Sequence, residues 1–165
     1  MGETANTIMK TILIALSLAA LLCGCSTNQP ITMVVPGLYR GAQPADGDWP
    51  GLKDHIFREI RMDTEAEHSS WAAATNWIQV IALPIPLWRQ LTIGPNKKLM
   101  TASMKLVTTG TLVNCVHGVD RTSVWFYQYE VQVLGWPKKM AWEDLRAHGF
   151  HWELIGLYVY AKFRI

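Results

Sequence analysis

The sequence contains few cysteines and few charged residues for its length. It has 3 cysteines among 165 residues, an odd and small number that excludes a disulfide-stabilised scaffold. Charged residues make up 17% of the chain, and 15 basic against 13 acidic residues give a net charge of +2, which excludes a nucleic-acid partner bound through a broad basic face. In contrast, 50% of the residues are apolar and 8 are tryptophans. This composition predicts one globular domain with a sizeable core.

The N-terminal apolar run is too short to span a membrane. Residues 11–22 form an uncharged stretch that follows a lysine and precedes the sequence Cys-Gly-Cys, whereas a transmembrane helix needs about 20 apolar residues. A short apolar run with small residues at its end is typical of a secretory signal peptide, and the segment Leu-Cys-Gly-Cys resembles a bacterial lipobox. We predict a lipoprotein signal peptide over residues 1–24, a lipid on Cys25 and a polar tether over residues 25–31. A plain secretory peptide or an uncleaved anchor is the alternative.

Such processing would place residues 32–165, the predicted folded domain, in the bacterial cell envelope. The domain would be lipid-anchored on the periplasmic side, with the membrane as a partner through its N-terminal lipid, or it would be secreted. In the processed chain Cys115 would be the single free thiol and would have no intramolecular disulfide partner.

Strand-like and helix-like segments alternate along the folded part and then give way to helices. Short apolar runs predict four strands, over residues 32–35, 38–40, 78–85 (buried) and 111–113. Residues 56–62 alternate apolar and charged side chains and predict a half-exposed strand. Helical patterns occur over residues 46–50 (a brief helix or turn), 69–77, 95–107, 122–134, 137–147 and 152–162. Gly135 and Gly149 lie where C-terminal caps are expected. This order predicts an α/β fold, a mostly parallel central sheet flanked by helices with a helical C-terminal half.

The junction between the last strand and the following helix carries the chemistry. Residues 115–122 read CVHGVDRT, with five residues between the cysteine and the arginine. This spacing places a thiol and a guanidinium around backbone N–H groups at a helix N-terminus, which is an anion site. The same positive helix end favours a thiolate, and an arginine fork recognises two phosphate oxygens. The pattern predicts thiolate attack on phosphorus and a cysteinyl-phosphate intermediate, without a metal or another cofactor.

The octapeptide CVHGVDRT resembles the HCxxGxxRT loop of the cysteine-based protein tyrosine and dual-specificity phosphatases, and in particular a bacterial subgroup with an HGxDRT loop. Residues 36–44 (PGLYRGAQP) resemble that subgroup's opening strand motif, and residues 61–68 and 148–151 are similar to two further segments of it. The resemblance implies a dual-specificity-phosphatase-like fold and hydrolysis of phosphomonoesters. It also implies a phosphorylated partner, which is a phosphotyrosine protein, a phosphoinositide or an inositol phosphate. We expect a monomer.

On this resemblance Cys115 is the nucleophile and Arg121 is the phosphate clamp. Thr122 supplies the hydroxyl that helps the thiolate leave when the intermediate breaks down. Backbone N–H groups from residue 116 to Arg121 form the substrate cradle, which includes Val116, His117, Gly118 and Val119. We expect His117 to shape specificity at the rim of the loop.

Two positions differ from the family pattern, and one arginine has two interpretations. Asn114 stands where the family has His, and its amide still donates and accepts hydrogen bonds. Ser123 replaces the usual Gly and adds a hydroxyl near the site. Arg40 either pairs with a carboxylate that fixes the loop or merely flanks its strand; without coordinates the second interpretation is favoured.

The general acid is missing from the interval where the family carries it. No Asp, Glu or His occurs from Pro84 through Asn114. Asp120 is the first candidate, because phosphoinositide phosphatases of the myotubularin kind also carry Asp immediately before the loop Arg; its alternative role is to accept backbone N–H bonds and order the loop. Three further candidates follow an earlier strand: Asp63, Glu65 and His68. The absent acid also leaves a second function open, a catalytically weak phosphate-binding module, or pseudophosphatase.

Overall fold

A five-stranded sheet with helices packed on it makes up the computed structural model, which describes residues 28–63, 77–85, 96–163 and 165. The strands are β1 (Thr32–Val35), β2 (Leu38–Ala42), β3 (Arg58–Arg61), β4 (Gln79–Ala82) and β5 (Thr111–Cys115). The helices are α1 (Trp49–Leu52), α2 (Lys97–Met104), α3 (Asp120–Gln132), α4 (Lys138–Ala147) and α5 (Ile155–Phe163). The predicted signal peptide, Cys25 and most of the predicted helix over residues 69–77 lie outside the described residues.

The sheet has the order β1-β2-β5-β3-β4, and only the β1–β2 pair is antiparallel. β5 therefore lies at the centre, with Cys115 opposite Ala42 of β2 and Asn114 opposite Arg61 of β3. Carboxyl ends of parallel strands meet at the same edge of a sheet, which is where ligands bind in open α/β folds. The predicted α/β class with a mostly parallel sheet is confirmed.

Helix α3 occupies the middle of the helical half and packs against β5, α4 and α5. Val124, Trp125 and Phe126 are fully buried on it, and the Trp125 indole N–H donates to Ser103 Oγ of α2 at 2.8 Å. The glycines predicted as C-terminal caps after α3 and α4 have φ of 70° and 79°, values in the left-handed region that favours glycine. The buried helix fixes the position of its own N-terminus, where the loop begins.

Strand β3 differs from the half-exposed strand that its alternating sequence predicts, because Glu59 and Arg61 are both buried. The strand lies in the interior of the sheet between β4 and β5, and three of its four residues are buried. Arg61 pairs with Asp63 at 3.2 Å. The prediction of a buried β4 was also wrong: β4 is the edge strand, and all four of its residues are partly or fully exposed. In β3, the alternation of apolar and charged residues therefore reflects polar contacts made by buried side chains rather than a face exposed to solvent.

Candidate active site

The carboxyl end of β5 and the N-terminus of α3 enclose a cavity of about 340 Å³. The turn between the two elements is residues 116–119, which lie within the predicted junction between Val113 and Thr122; α3 begins at Asp120, two residues before the predicted helix start. The cavity contains a thiol, a guanidinium, two imidazoles and two carboxylates, and its described lining residues are Cys115, His117, Asp120, Arg121, His151, Glu153 and Leu154. The first turn of a helix offers backbone N–H groups without an intrahelical acceptor, together with the positive end of the helix dipole. The cavity is thus suited to an anion.

Cys115 is the last residue of β5 and is 3% exposed. It is a free thiol. The hydroxyl of Thr122 donates a hydrogen bond to this sulfur, with Oγ1 and Sγ 3.2 Å apart. A hydroxyl donor and a helix N-terminus both stabilise negative charge on sulfur. The predicted nucleophile and the predicted leaving-group hydroxyl are therefore in contact.

The turn is held against β2 by close backbone packing. Gly118 has φ of 72°, and a Cβ on it would overlap the backbone of Gly41 and Ala42. The N–H of Gln43, just beyond β2, donates to the carbonyls of Cys115 at 2.9 Å and Val116 at 3.2 Å. Only glycine satisfies both the left-handed conformation and this approach. The loop therefore has little freedom to open away from the sheet.

Arg121 is buried and reaches across the edge of the sheet. Its Nη1 donates to the carbonyl of Met62 at 3.2 Å and to the carbonyl of Ile85 at 3.1 Å. These two carbonyls follow β3 and β4, so two strand ends position one guanidinium at the cavity. The arginine thus enters the site in an orientation fixed by the sheet.

Asp120 accepts hydrogen bonds from the segment that follows α4. Its Oδ1 accepts the backbone N–H of His151 at 2.8 Å. The Nδ1 atom of the His151 ring lies 3.0 Å from Oδ1 and 3.1 Å from Oδ2. The alternative role, a carboxylate that accepts backbone N–H bonds, is thus present, although its donor is the C-terminal segment rather than the loop itself. Sequence reasoning singled out the sequence of residues 148–151 only as a family resemblance and missed this partner.

A buried arginine supports the loop from behind. Arg40 of β2 donates to Asp144 Oδ2 of α4 at 2.9 Å and to Ser123 Oγ at 2.8 Å. Its guanidinium also lies 4.8 Å from the centre of the Phe126 ring. Arg40 therefore pairs with a carboxylate, and the favoured interpretation that it merely flanks its strand was wrong. The hydroxyl of Ser123, where the family has Gly, is what connects this pair to the first turn of α3.

Burial and neighbouring charges shift the titration of this cluster in opposite directions. Burial lowers the pKa of Arg40, against the effect of Asp144. Burial alone would raise the pKa of Asp144, but the hydrogen bond and charge of His148, followed by the charge of Arg40, hold that pKa below its ordinary value. The lowered pKa of Asp144 favours its ionised form, which is the form that pairs with Arg40.

Glu130 of α3 is a buried acid that sequence reasoning did not single out. Its exposed fraction is 0%, and neither carboxylate oxygen accepts a hydrogen bond within the described part of the chain. Burial first, and then the negative charge of Asp144, raise its pKa to about 8. Protonated Glu130 can donate to Asp144, which an ionised carboxylate cannot do. Its position inside an otherwise helical apolar pattern was the available signal.

Asn114 takes the place of the family's histidine within β5 and is fully buried. Its Nδ2 donates to Glu59 Oε1 of β3 at 2.6 Å. Burial raises the pKa of Glu59, and the hydrogen bond from the Asn114 side-chain amide opposes that shift. The amide therefore ties the strand that carries the nucleophile to its neighbour, a contact between β5 and β3 beneath the site.

The last residues of the predicted tether contact the loop. The N–H of Gln29 donates to the carbonyl of His117 at 3.0 Å, and the carbonyl of Gln29 accepts from Ala42 at 2.9 Å. Asn28 Oδ1 lies 3.0 Å from His117 Nδ1. His117 therefore lies at the cavity rim, as expected, with its ring held by the N-terminal segment.

The other candidate acids do not join the described cavity lining. Asp63 is buried beside Arg61, and Glu65 and His68 lie outside the described residues. Among the residues that the structure describes, no group of three or more His, Cys, Asp or Glu side chains could hold a metal ion. Over the same residues, no helix has the length and apolar character needed to cross a membrane.

Solved structures with a similar fold include phosphatases. No family model matches the sequence, and neither does any curated protein. The chain is similar to Tk-PTP in its active form, with a TM-score of 0.67 and 14% identity over 82% of this chain and 97% of that chain. TpbA of P. aeruginosa in complex with pTyr gives a TM-score of 0.64 and 17% identity over 86% and 91% of the two chains. PTPMT1 in complex with PI(5)P gives a TM-score of 0.60 and 17% identity over 80% of this chain and 94% of that chain. The dual-specificity-phosphatase-like fold is thereby confirmed.

Proposed function

We propose that this chain is a phosphomonoester hydrolase that acts through a cysteinyl-phosphate intermediate. One observation carries the proposal: the Cys115 thiol, with the Thr122 hydroxyl bonded to its sulfur, lines the same cavity as the Arg121 guanidinium at the N-terminus of α3. Nucleophile, anion clamp and leaving-group hydroxyl are the parts that phosphoryl transfer to sulfur requires.

The reaction follows from these positions in two steps. Arg121 and the backbone N–H groups of the loop hold the phosphate, the Cys115 thiolate attacks phosphorus, and the P–O bond to the leaving group breaks as its oxygen takes a proton. Water then attacks the same phosphorus, the S–P bond breaks, and inorganic phosphate leaves. The Thr122 hydroxyl stabilises the departing thiolate. The cysteinyl-phosphate divides one displacement into two easier ones.

The charges of the described lining favour an aryl phosphate over a polyphosphorylated ring. Arg121 contributes the guanidinium that holds the first phosphate, Asp120 is paired with His151, and Glu153 contributes a further carboxylate, so the described lining has no positive charge left for additional phosphates. Additional phosphates on an inositol ring would meet these carboxylates, whereas an aromatic carrier would meet Leu154. TpbA binds pTyr and PTPMT1 binds PI(5)P; of the two, phosphotyrosine protein is the substrate class we favour. Glu153→Gln should narrow the rate difference between a phosphotyrosine peptide and inositol phosphates.

Hydrolysis of 4-nitrophenyl phosphate by the purified full-length chain tests the proposed function. Aryl leaving groups of this kind need little acid assistance, so an enzyme without its usual acid still acts on them. Cys115→Ser should abolish turnover and Cys25→Ser, which removes a different thiol, should not. A phosphoryl group trapped on Cys115 in mass spectra of the acid-quenched reaction would identify the intermediate. Binding of phosphate without any turnover would instead support the pseudophosphatase, which is favoured by the empty interval from Pro84 to Asn114.

The proposal extends to the site of action, a monomer held in the bacterial cell envelope by lipid on Cys25 on the periplasmic side. The apolar run over residues 11–22 and the cysteine that follows it support this part. Labelled palmitate should enter the wild type and Cys23→Ala, and it should not enter Cys25→Ala. Equal labelling of all three would refute lipidation at that position.

A further inference from the structure

The leaving oxygen needs a proton, and Asp120 is placed to accept hydrogen bonds. Both of its carboxylate oxygens lie within 3.1 Å of donors on His151: Oδ1 takes the backbone N–H and the ring Nδ1, and Oδ2 lies near the same Nδ1. To act as the acid, Asp120 would have to carry a proton while surrounded by groups that donate to it. Hydrogen bonds of this kind favour a carboxylate over a carboxylic acid.

The geometry points to His151 as the proton donor, with Asp120 as the residue that positions it. A carboxylate beside Nδ1 requires a hydrogen on that atom, which leaves Nε2 as the ring nitrogen that exchanges a proton with the substrate. His151 lines the cavity together with Cys115 and Arg121. Its side chain is 44% exposed, so the ring meets both solvent and the cavity. This inference rests on the proposed phosphatase function.

The proton balance closes over the two steps. In the first step imidazolium Nε2–H of His151 gives its proton to the leaving oxygen while the S–P bond forms and the P–O bond breaks. In the second step neutral Nε2 takes a proton from the attacking water while the S–P bond breaks and the Cys115 thiolate is restored. His151 ends the cycle as the imidazolium with which it began.

The segment after α4 delivers this histidine to the loop. Gly149, with φ of 79°, turns the chain after α4, and a Cβ on it would lie 3.7 Å from Val119 Cγ1 of the loop. His148, at the end of α4, contacts Asp144 of the same helix, with Nδ1 and Oδ2 3.2 Å apart. The next histidine along the chain, His151, therefore lies at the cavity. Its segment is outside the interval between Pro84 and Asn114, where the resembled phosphatases carry their general acid.

Among the residues that the structure describes, four other titratable or charged groups line the same cavity: Cys115, His117, Arg121 and Glu153. His117 is the competing imidazole, and its Nδ1 is paired with the amide oxygen of Asn28. A neutral amide stabilises an imidazolium less than a carboxylate does, since a bond between two charged groups is the stronger one. The carboxylate partner is what distinguishes His151 from His117.

Two esters with different leaving groups test the inference on the purified full-length chain. Phenyl phosphate needs a proton on its leaving oxygen far more than 4-nitrophenyl phosphate does. We expect His151→Gln to lower kcat/KM for phenyl phosphate by about 100-fold or more, with a loss for 4-nitrophenyl phosphate at least tenfold smaller. The alkaline limb of the kcat–pH profile for phenyl phosphate should disappear in this variant. Asp120→Asn should show the same larger loss for phenyl phosphate. In the double variant of Asp120 and His151 the two losses in kcat/KM should not multiply, because both substitutions act through the His151 ring.

His55→Gln is the matched control, since this exposed histidine precedes β3 and should leave both rates unchanged. The assignment of His151 would be overturned if His151→Gln lost activity equally on both esters or on neither. It would also be overturned if His117→Gln showed the leaving-group effect. Failure of the proposed phosphatase function would look different: the wild type would hydrolyse neither ester, or Cys115→Ser would keep its activity. Either result would also overturn the assignment of His151. Thermal unfolding of each variant distinguishes a catalytic loss from a loss of fold.

Discussion

Replacement of Glu130 by glutamine should stabilise the protein, and the gain should grow with pH. Glu130 is fully buried near the C-terminal end of α3, and its pKa is raised from 4.5 to about 8. Below pH 4.5 the acid is protonated in both the folded and the unfolded states and does not affect the balance between them. Between pH 4.5 and about 8 the unfolded chain ionises while the folded chain stays protonated, so stability is lost as pH rises.

The size of the effect follows from that interval. Each pH unit within it lowers the free energy of unfolding by about 1.4 kcal/mol, so the loss at pH 7 is roughly 3 kcal/mol. Glutamine at position 130 cannot ionise, and its amide is a potential hydrogen-bond donor to Asp144, as the protonated acid is. For a chain of this size roughly 2–4 °C of melting temperature corresponds to 1 kcal/mol. Glu130→Gln should therefore melt about 6–12 °C higher at pH 7.

Thermal unfolding followed by circular dichroism at pH 5, 6, 7 and 8 measures this difference. The wild type and Glu130→Gln should melt within about 2 °C of each other at pH 5, and the variant should melt progressively higher as pH rises. Histidine titrations occur in both proteins and cancel in the difference. Glu143→Gln, an exposed substitution on α4, should track the wild type. A stability difference that stays constant from pH 5 to pH 8 would refute the argument that Glu130 is protonated in the folded state.

Three further substitutions probe the loop and its support. Gly118→Ala should lower the melting temperature and abolish vanadate binding measured by calorimetry, because its Cβ would overlap the backbone of β2; an unchanged melting point would contradict that packing. Arg40→Met should cost about 3 kcal/mol in urea unfolding, since it leaves Asp144 without its buried partner, and a cost below 1 kcal/mol would argue against the pair. Thr122→Val should slow breakdown of the intermediate roughly 10–100-fold, seen as a burst of phenolate in stopped flow, and equal slowing of the burst itself would place the hydroxyl in the attack of Cys115 on phosphorus instead.

The α/β order and the position of the loop were predictable because their signals are local. A short apolar strand that runs into CVHGVDRT and then a long helical pattern defines one strand, one turn and one helix. Gly135 and Gly149 likewise mark helix ends through their own conformations. These features depend on residues within a few positions of one another, so sequence spacing alone locates them.

The partners of buried polar side chains were not predictable, because they depend on which distant elements meet. Arg40 and Asp144 are separated by 104 positions, and Asp120 and His151 by 31. The charges of β3 suggested a half-exposed strand, because nothing local reveals that the buried side chain of Asn114 on β5 donates a hydrogen bond to Glu59. Similarly, the acid sought between Pro84 and Asn114 has its proposed replacement in the C-terminal segment.

If Cys25 carries a lipid as proposed, the hydrogen bonds between the N-terminal segment and the loop limit the distance between the cavity and the lipid bilayer. With lipid on Cys25 as proposed, two residues separate the modified position from Asn28, whose side chain bonds to His117 at the cavity rim. Three consecutive steps along an extended chain cover at most about 10 Å. The mouth of the cavity would then lie close to the headgroup layer, so that phosphorylated side chains near the membrane surface are reached readily and those deep in the periplasm only by approaching it.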